Sequence, residues 1–224
     1  MGRASGAKSP LQNRVTPFGE IIAVPERGTL MGNRGGCLHT AERRLTGRRW
    51  VSRRWIACLL EFRGRRRAVM SPRRYTELFF LDEATALAAG HRPCRECRRA
   101  DFERFKAAWL RGNPGWGFSA DVSIDAIDRA LHAERVGPGG GKATFRAPLA
   151  GVAGLPEGTF IAPIDETNTS YLLARGALWR WTPDGYSGAR PPGAGEAAVL
   201  TPRSAVNAVA AGYVPAWHAS VGEL

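Results

Sequence analysis

The stretch "LFFLDEATALAAGHRPCRECRR", residues 78–99, contains a strand, a helix and a pair of thiols within 22 residues. Four apolar residues lead to Asp82, whose side chain suits a helix N-cap, and Glu83 follows in the first turn, where a negative charge meets the positive end of the helix dipole. An alanine-rich run then reads as a helix, and Gly90 as its C-terminal stop. Cys94 and Cys97 come next, two residues apart and set among arginines. A Cys-x-x-Cys turn brings two thiolates to one tetrahedral ion, at about 2.3 Å each for zinc. The same spacing serves thioredoxin-like redox chemistry, but there the pair follows a strand and opens a helix in a βαβ unit. Here it follows a helix that has stopped, so metal ligation is the expectation.

Working outward, the chain reads as α+β. Residues 1–15 are polar, basic and aperiodic, and are expected to be a mobile arm. "FGEIIAVPERG" suggests a short strand ending at Pro25. "RRWIACLLEFRGRRRAVM" suggests a β-hairpin, with Trp55, Ile56, Leu59, Leu60 and Phe62 in one strand, "RGRRR" as the turn, and a return through Val69 and Met70. After the cysteines, "RADFERFKAAWLRG" places Phe102, Phe105 and Trp109 on one helical face. A second amphipathic helix with Val122, Ile124, Ile127 and Leu131 inside follows the "GNPGWG" break, and "GPGGGK" (137–142) reads as a flexible linker. From Thr144 onward short alternating segments punctuated by Gly, Pro, Asp and Asn indicate β structure, closing on "SAVNAVAAGY", where Ser204 is placed to cap a short helix and Gly212 to end it. The expected divisions are a basic arm (1–15), an Arg-rich zinc-binding hairpin and helix domain (16–112), a helix and Gly-rich linker (113–143) and a β-rich C-terminal module (144–224).

Charge separates the two halves. The chain has a net charge of +12. Residues 1–112 carry 24 Lys and Arg against 10 Asp and Glu, a net of +14, while residues 113–224 carry 8 against 10. All but two of those 24 cations are Arg, whose planar fork suits phosphate and guanine. Codon bias toward Arg would act on both halves alike, so the asymmetry itself points to a polyanionic partner, nucleic acid first and DNA ahead of RNA. In "RRLTGRRWVSRRW", Arg43, Arg44, Arg48, Arg49, Arg53 and Arg54 supply the charge and Trp50 a ring that stacks on bases or packs in the core. No apolar run approaches a membrane span and the first thirty residues lack a secretory core, which makes cytoplasmic residence without a membrane partner the expectation.

Residues 78–99 resemble the second half of the Ada-type metal-binding domain, in which an aromatic pair, a short helix, a Gly, an aromatic and Arg-Pro-Cys-x-x-Cys close a zinc site beside a small β-sheet. The resemblance implies that Cys94 and Cys97 are the last two zinc ligands, that Arg92 and Pro93 are the Arg-Pro, and that Ala86 and Gly90 belong to the helix; His91 stands at the aromatic position. Residues 30–77 match only in outline. The family's first ligand pair is Cys-x-x-x-Cys, which this chain lacks, so Cys58, Cys37 and His39 are the remaining candidates for Zn2+. In an extended segment Cys37 and His39 would face one side. The thiol that accepts a methyl group from a DNA phosphotriester belongs to that first pair, so alkyl-phosphate repair stands here as an alternative, with a metal-dependent nuclease built on His39. A basic protein-interaction module is the third. Asp82 and Glu83 are explained as helix-start residues, and "GPGGGK" lacks the spacing of a phosphate loop.

Overall fold

The computed structural model describes residues 9–65 and 68–222. Among them are five α-helices and two six-stranded sheets, an α+β architecture. The first sheet takes β1 (Gln12–Val15), β2 (Ile21–Ala23), β3 (Leu30–Asn33), β4 (Ile56–Leu59), β5 (Leu78–Phe80) and β6 (Arg92–Pro93), in the order β2-β1-β5-β3-β4-β6. β6 runs parallel to β4, pairing Ile56 with Arg92 and Ala57 with Pro93. The second sheet takes β7 (Phe145–Pro148), β8 (Phe160–Pro163), β9 (Tyr171–Ala174), β10 (Ala177–Thr182), β11 (Gly185–Arg190) and β12 (Glu196–Val199), ordered β11-β10-β9-β8-β12-β7. Its pairings are all antiparallel. Between β9 and β10 only Arg175 and Gly176 turn the chain, both at positive φ, the conformation a two-residue hairpin needs for its twist to match the strands.

Helix α1 (Glu83–Ala88) is the hub, and every one of its residues is buried. A helix buried all round must be slim, which is why it is built of alanines. Ala86 and, just beyond, Ala89 pack on the first sheet with Leu30, Leu78 and Phe80. Ala84 and Ala88 pack on the second with Phe160, Leu172 and Trp179. Leu87 points into a third layer where α2 (Arg99–Gly112), α3 (Ile124–Arg135) and α5 (Arg203–Ala210) bring together Phe105, Trp109, Ile127, Leu131 and Ala208. Helix α4 (Leu149–Val152) covers the far face of the second sheet. The Asp82 side chain accepts from Thr85 N at 2.8 Å, the cap expected of it. Gly90 sits at φ +86°, and a Cβ there would lie 2.5 Å from the Arg135 side chain, so the stop is enforced both by the backbone and by space.

Four expectations change. No return strand forms at Val69 and Met70, which lie in turns; β4 pairs instead with β3, Leu30 to Leu59 and Asn33 to Ile56, because apolar partners distant in sequence outcompete a turn crowded with like charges. Part of that expected turn, Arg66 and Arg67, lies outside the described residues, as do the first eight residues of the expected arm. The other end of that arm is not free, since Gln12–Val15 is β1, with Val15 in the core. The glycine-rich 137–142 segment folds back on itself, Val136 bridging Lys142 and Gly137 N donating to Gly141 O. Ser204 lies inside the first turn of α5, behind Pro202, and both its N–H and its hydroxyl donate to Glu134 instead.

Candidate metal centre and basic face

Strand β6 exists to place the Cys-x-x-Cys turn. Arg92 N donates to Trp55 O and Cys94 N to Ala57 O at 2.9 Å, which carries the parallel pairing one residue past the strand and sets Cys94 beside Cys58 on β4. The sulfurs of Cys58, Cys94 and Cys97 all lie within 4.8 Å of one another, and among the described residues this is the one group of three or more His, Cys, Asp or Glu close enough to hold a metal ion. Neighbouring thiolates on one tetrahedral zinc would sit roughly 3.8 Å apart for bonds of about 2.3 Å, so the cluster needs little adjustment to close on an ion. Backbone N–H groups already face the sulfurs, that of Glu96 reaching Cys94 Sγ at 3.4 Å and that of Leu59 aimed at Cys97. The thiols of Cys58 and Cys97 donate to Cys94, which holds its pKa down at about 2 and pushes that of Cys58 far up. An ion bound here would displace the thiol protons. Cys94 is buried, Cys58 and Cys97 half-buried.

Cys37 and His39 are not brought to this cluster. Cys37 Sγ lies 3.7 Å from His39 Nδ1 and donates to His39 O. The buried imidazole is used on both nitrogens, Nδ1 at 2.6 Å from the Thr76 hydroxyl and Nε2 at 3.2 Å from Ser71 O. Thr76 Oγ1 also accepts from Leu38 N, and because the Ser71 carbonyl can only accept, Nε2–H donates to it. That fully bonded ring pins a loop. His91 is also elsewhere, buried between Trp55 and Phe80, its Nε2 accepting from Arg34 Nε.

The segment leading into β4 carries the expected arginines. Arg43, Arg44, Arg48, Arg49, Arg53 and Arg54 are all exposed. Arg54 forks onto Asp125 at 2.9 and 2.8 Å; among the described residues the other five have no carboxylate at ion-pair distance. Trp55 is core, and Trp50 is half-buried against it and His132. Residues 47–51 face Gly139 and Gly140 across an open groove of about 480 Å³.

What sequence reasoning missed lies beneath that groove. Arg34 and Arg135 are fully buried and clasp Trp55 from two sides, their guanidinium carbons 4.1 and 4.2 Å from the ring centroid. Arg34 donates to Gly19 O and Arg49 O, Arg135 to Gly90 O and Arg53 O. Lys142 turns its ammonium inward to Ala88 O. Nothing in the sequence separates these three from surface cations except the glycines around Arg34, which permit close packing. Burial, with Arg34 and Arg135 nearby, pushes the Lys142 pKa down to about 7. Because the folded value lies below the ordinary 10.5, the unfolded chain binds more protons between those limits, and stability attributable to Lys142 rises with pH from about 7 to about 10.5. Lys142→Met is expected to be more stable than the parent below pH 7, with the difference vanishing toward the top of that window. Urea unfolding of both proteins across it is the check, and parallel curves would contradict a strained ammonium.

Fold and site together define an α+β protein with a three-cysteine cluster that could hold a metal ion and an exposed arginine-rich segment leading into β4. Compared with protein-family models, curated proteins and solved structures, the chain shows no match. Among the described residues no helix is long and apolar enough to cross a membrane.

Proposed function

We propose that the chain is a zinc protein that binds nucleic acid, DNA ahead of RNA, the ion serving to fix the fold and the arginine segment supplying phosphate contacts. The observation that carries this reading is the row of exposed arginines free of ion pairs among the described residues, Arg43, Arg44, Arg48, Arg49 and Arg53, on the segment that runs directly into the strand holding Cys58. An ion on Cys58, Cys94 and Cys97 would tie that strand to the Cys-x-x-Cys turn and so hold the basic segment in place. Three thiolates favour a soft or borderline ion such as zinc over magnesium or calcium. The resemblance of residues 78–99 to the Ada-type domain points the same way.

Phosphate contacts release counterions, so binding to labelled duplex should fall steeply with salt, on the order of a thousandfold between roughly 50 and 200 mM if about five phosphates are engaged. Replacing Arg48, Arg49, Arg53 and Arg54 with Ser should flatten that dependence while leaving metal content unchanged. Anisotropy titrations at several salt concentrations measure it. Binding of heparin and duplex alike would shift the reading to a general polyanion site and favour an acidic protein partner; no binding of either by folded, metal-loaded protein at low salt overturns it.

A further inference from the structure

The groove between residues 47–51 and the glycine turn differs in kind from a basic surface. Arg48 and Arg49 supply charge at its rim, and Trp50 and the exposed Val51 supply apolar surface beside them. The inner side of the Trp50 ring is packed on Trp55 at 6.0 Å and edge-on to His132 at 5.3 Å. Across from it stand Gly139 and Gly140, both at positive φ, where a Cβ on Gly140 would come within 3.5 Å of the Trp50 ring and one on Gly139 would meet open space. The wall is therefore bare backbone, with Gly140 near the Trp50 ring edge and open space beside Gly139.

The floor of the groove is rigid. Val51 N and Ser52 N both donate to Arg34 O, while the Arg34 side chain holds Arg49 O and the Arg135 side chain holds Arg53 O. Two buried guanidiniums thus brace from below the loop that carries Arg48, Arg49 and Trp50 through backbone carbonyls; among the described residues neither has a carboxylate at ion-pair distance, although Asp128 is near enough to Arg135 to favour its charge. Burying positive charge without a carboxylate partner is costly. An anion in the adjacent groove would offset part of that cost, and a preorganised platform loses little on binding.

We propose that this groove takes one unpaired nucleotide, its base against the Trp50 ring and its phosphate at Arg48 and Arg49. The inference rests on the nucleic-acid reading for the source of the nucleotide, although its chemistry is shared by a free nucleoside monophosphate. It turns a phosphate-tracking surface into a reader of unpaired or extruded bases.

The test is anisotropy with the full-length, metal-loaded chain at one fixed salt concentration, using a fully paired labelled duplex, the same duplex with a single bulged adenosine, and one with an abasic bulge. Base stacking on an aromatic ring supports about a tenfold preference for the bulged adenosine, absent for the abasic bulge. Trp50→Ala should abolish the preference while keeping duplex affinity and its salt dependence, and Trp50→Phe should retain most of it, which separates stacking from a folding defect. Unlabelled adenosine monophosphate should erode the preference in competition. Equal binding of paired and bulged duplexes overturns the groove assignment and leaves the nucleic-acid reading intact. Binding of adenosine monophosphate that depends on Trp50, with no binding of any oligonucleotide, supports the groove with a free nucleotide as its ligand and overturns the nucleic-acid reading instead. Failure of both ligands overturns both.

Discussion

Stripping the metal, or replacing Cys94 and Cys97 together with Ser, is expected to unfold the first sheet rather than merely loosen it. Structural zinc contributes roughly 10 kcal/mol or more in small zinc domains, comparable to the whole stability of an ordinary domain. In this chain the thiols join β4 to the turn after β6, and β6 is only two residues long. Without an ion the three sulfurs are left sharing protons in a partly desolvated pocket, with Cys58 held as a neutral thiol. Elemental analysis should find one zinc per chain, and chelator titration should remove near-ultraviolet circular dichroism together with the metal. Cys58→Ala should lose most of the metal affinity, whereas Cys37→Ala, outside the cluster, should keep it. Full melting temperature in the Cys94/Cys97 double variant, or metal retained by Cys58→Ala, would contradict the assignment.

The second large effect is expected at Arg92. Its guanidinium forks onto Asp128 at 2.8 and 2.7 Å, and both side chains are at most 5 % exposed. The pair locks β6 of the cationic half to α3 of the acidic half. Arg92→Ala leaves a carboxylate buried without a partner, and such removals cost about 3–5 kcal/mol. Replacing both, Arg92→Met with Asp128→Leu, is expected to recover most of that loss, because two charges buried together cost nearly what their attraction returns. Urea midpoints at unchanged denaturant dependence would measure it. A loss under about 1 kcal/mol in Arg92→Ala would mean that water reaches Asp128. Since Arg92 precedes the Cys-x-x-Cys turn by two residues, the single variant should also bind metal more weakly.

Residues 78–99 were legible because every signal in them is local: a cap three residues before the N–H it accepts, a glycine at a helix stop, thiols spaced by one turn. The faces of α2 and α3 were legible for the same reason, with Phe102, Phe105, Trp109, Ile127 and Leu131 inside at helical spacing. What escaped was long-range. The antiparallel partner of β4 is β3, some 25 residues upstream, and the nearer Val69–Met70 segment lost because its connection is a run of like charges. Arg34, Arg135 and Lys142 read as solvated cations since hydropathy cannot see carbonyls that will converge from other loops. Asp82 and Glu83 were read as helix-start residues, and both are, Asp82 as the cap and Glu83 in the first turn. Each also receives bonds from far away: Tyr186 Oη and His218 N reach Asp82, while Tyr213 Oη, Ala216 N and the Arg98 guanidinium reach Glu83.

Those last contacts bear on the order in which the chain is made. When the first sheet, its three thiols and α1 have left the ribosome, Tyr186, Tyr213, Ala216 and His218 have yet to be translated, and the second sheet that covers Ala84 and Ala88 is equally absent. Two carboxylates destined for the interior therefore wait in water while the three clustered cysteines are already present. An ion on the three cysteines would organise the early part of the nascent chain, but α1 is sealed only when residues a hundred positions later arrive, so a chain halted near the glycine turn should take up metal and still remain open along that helix.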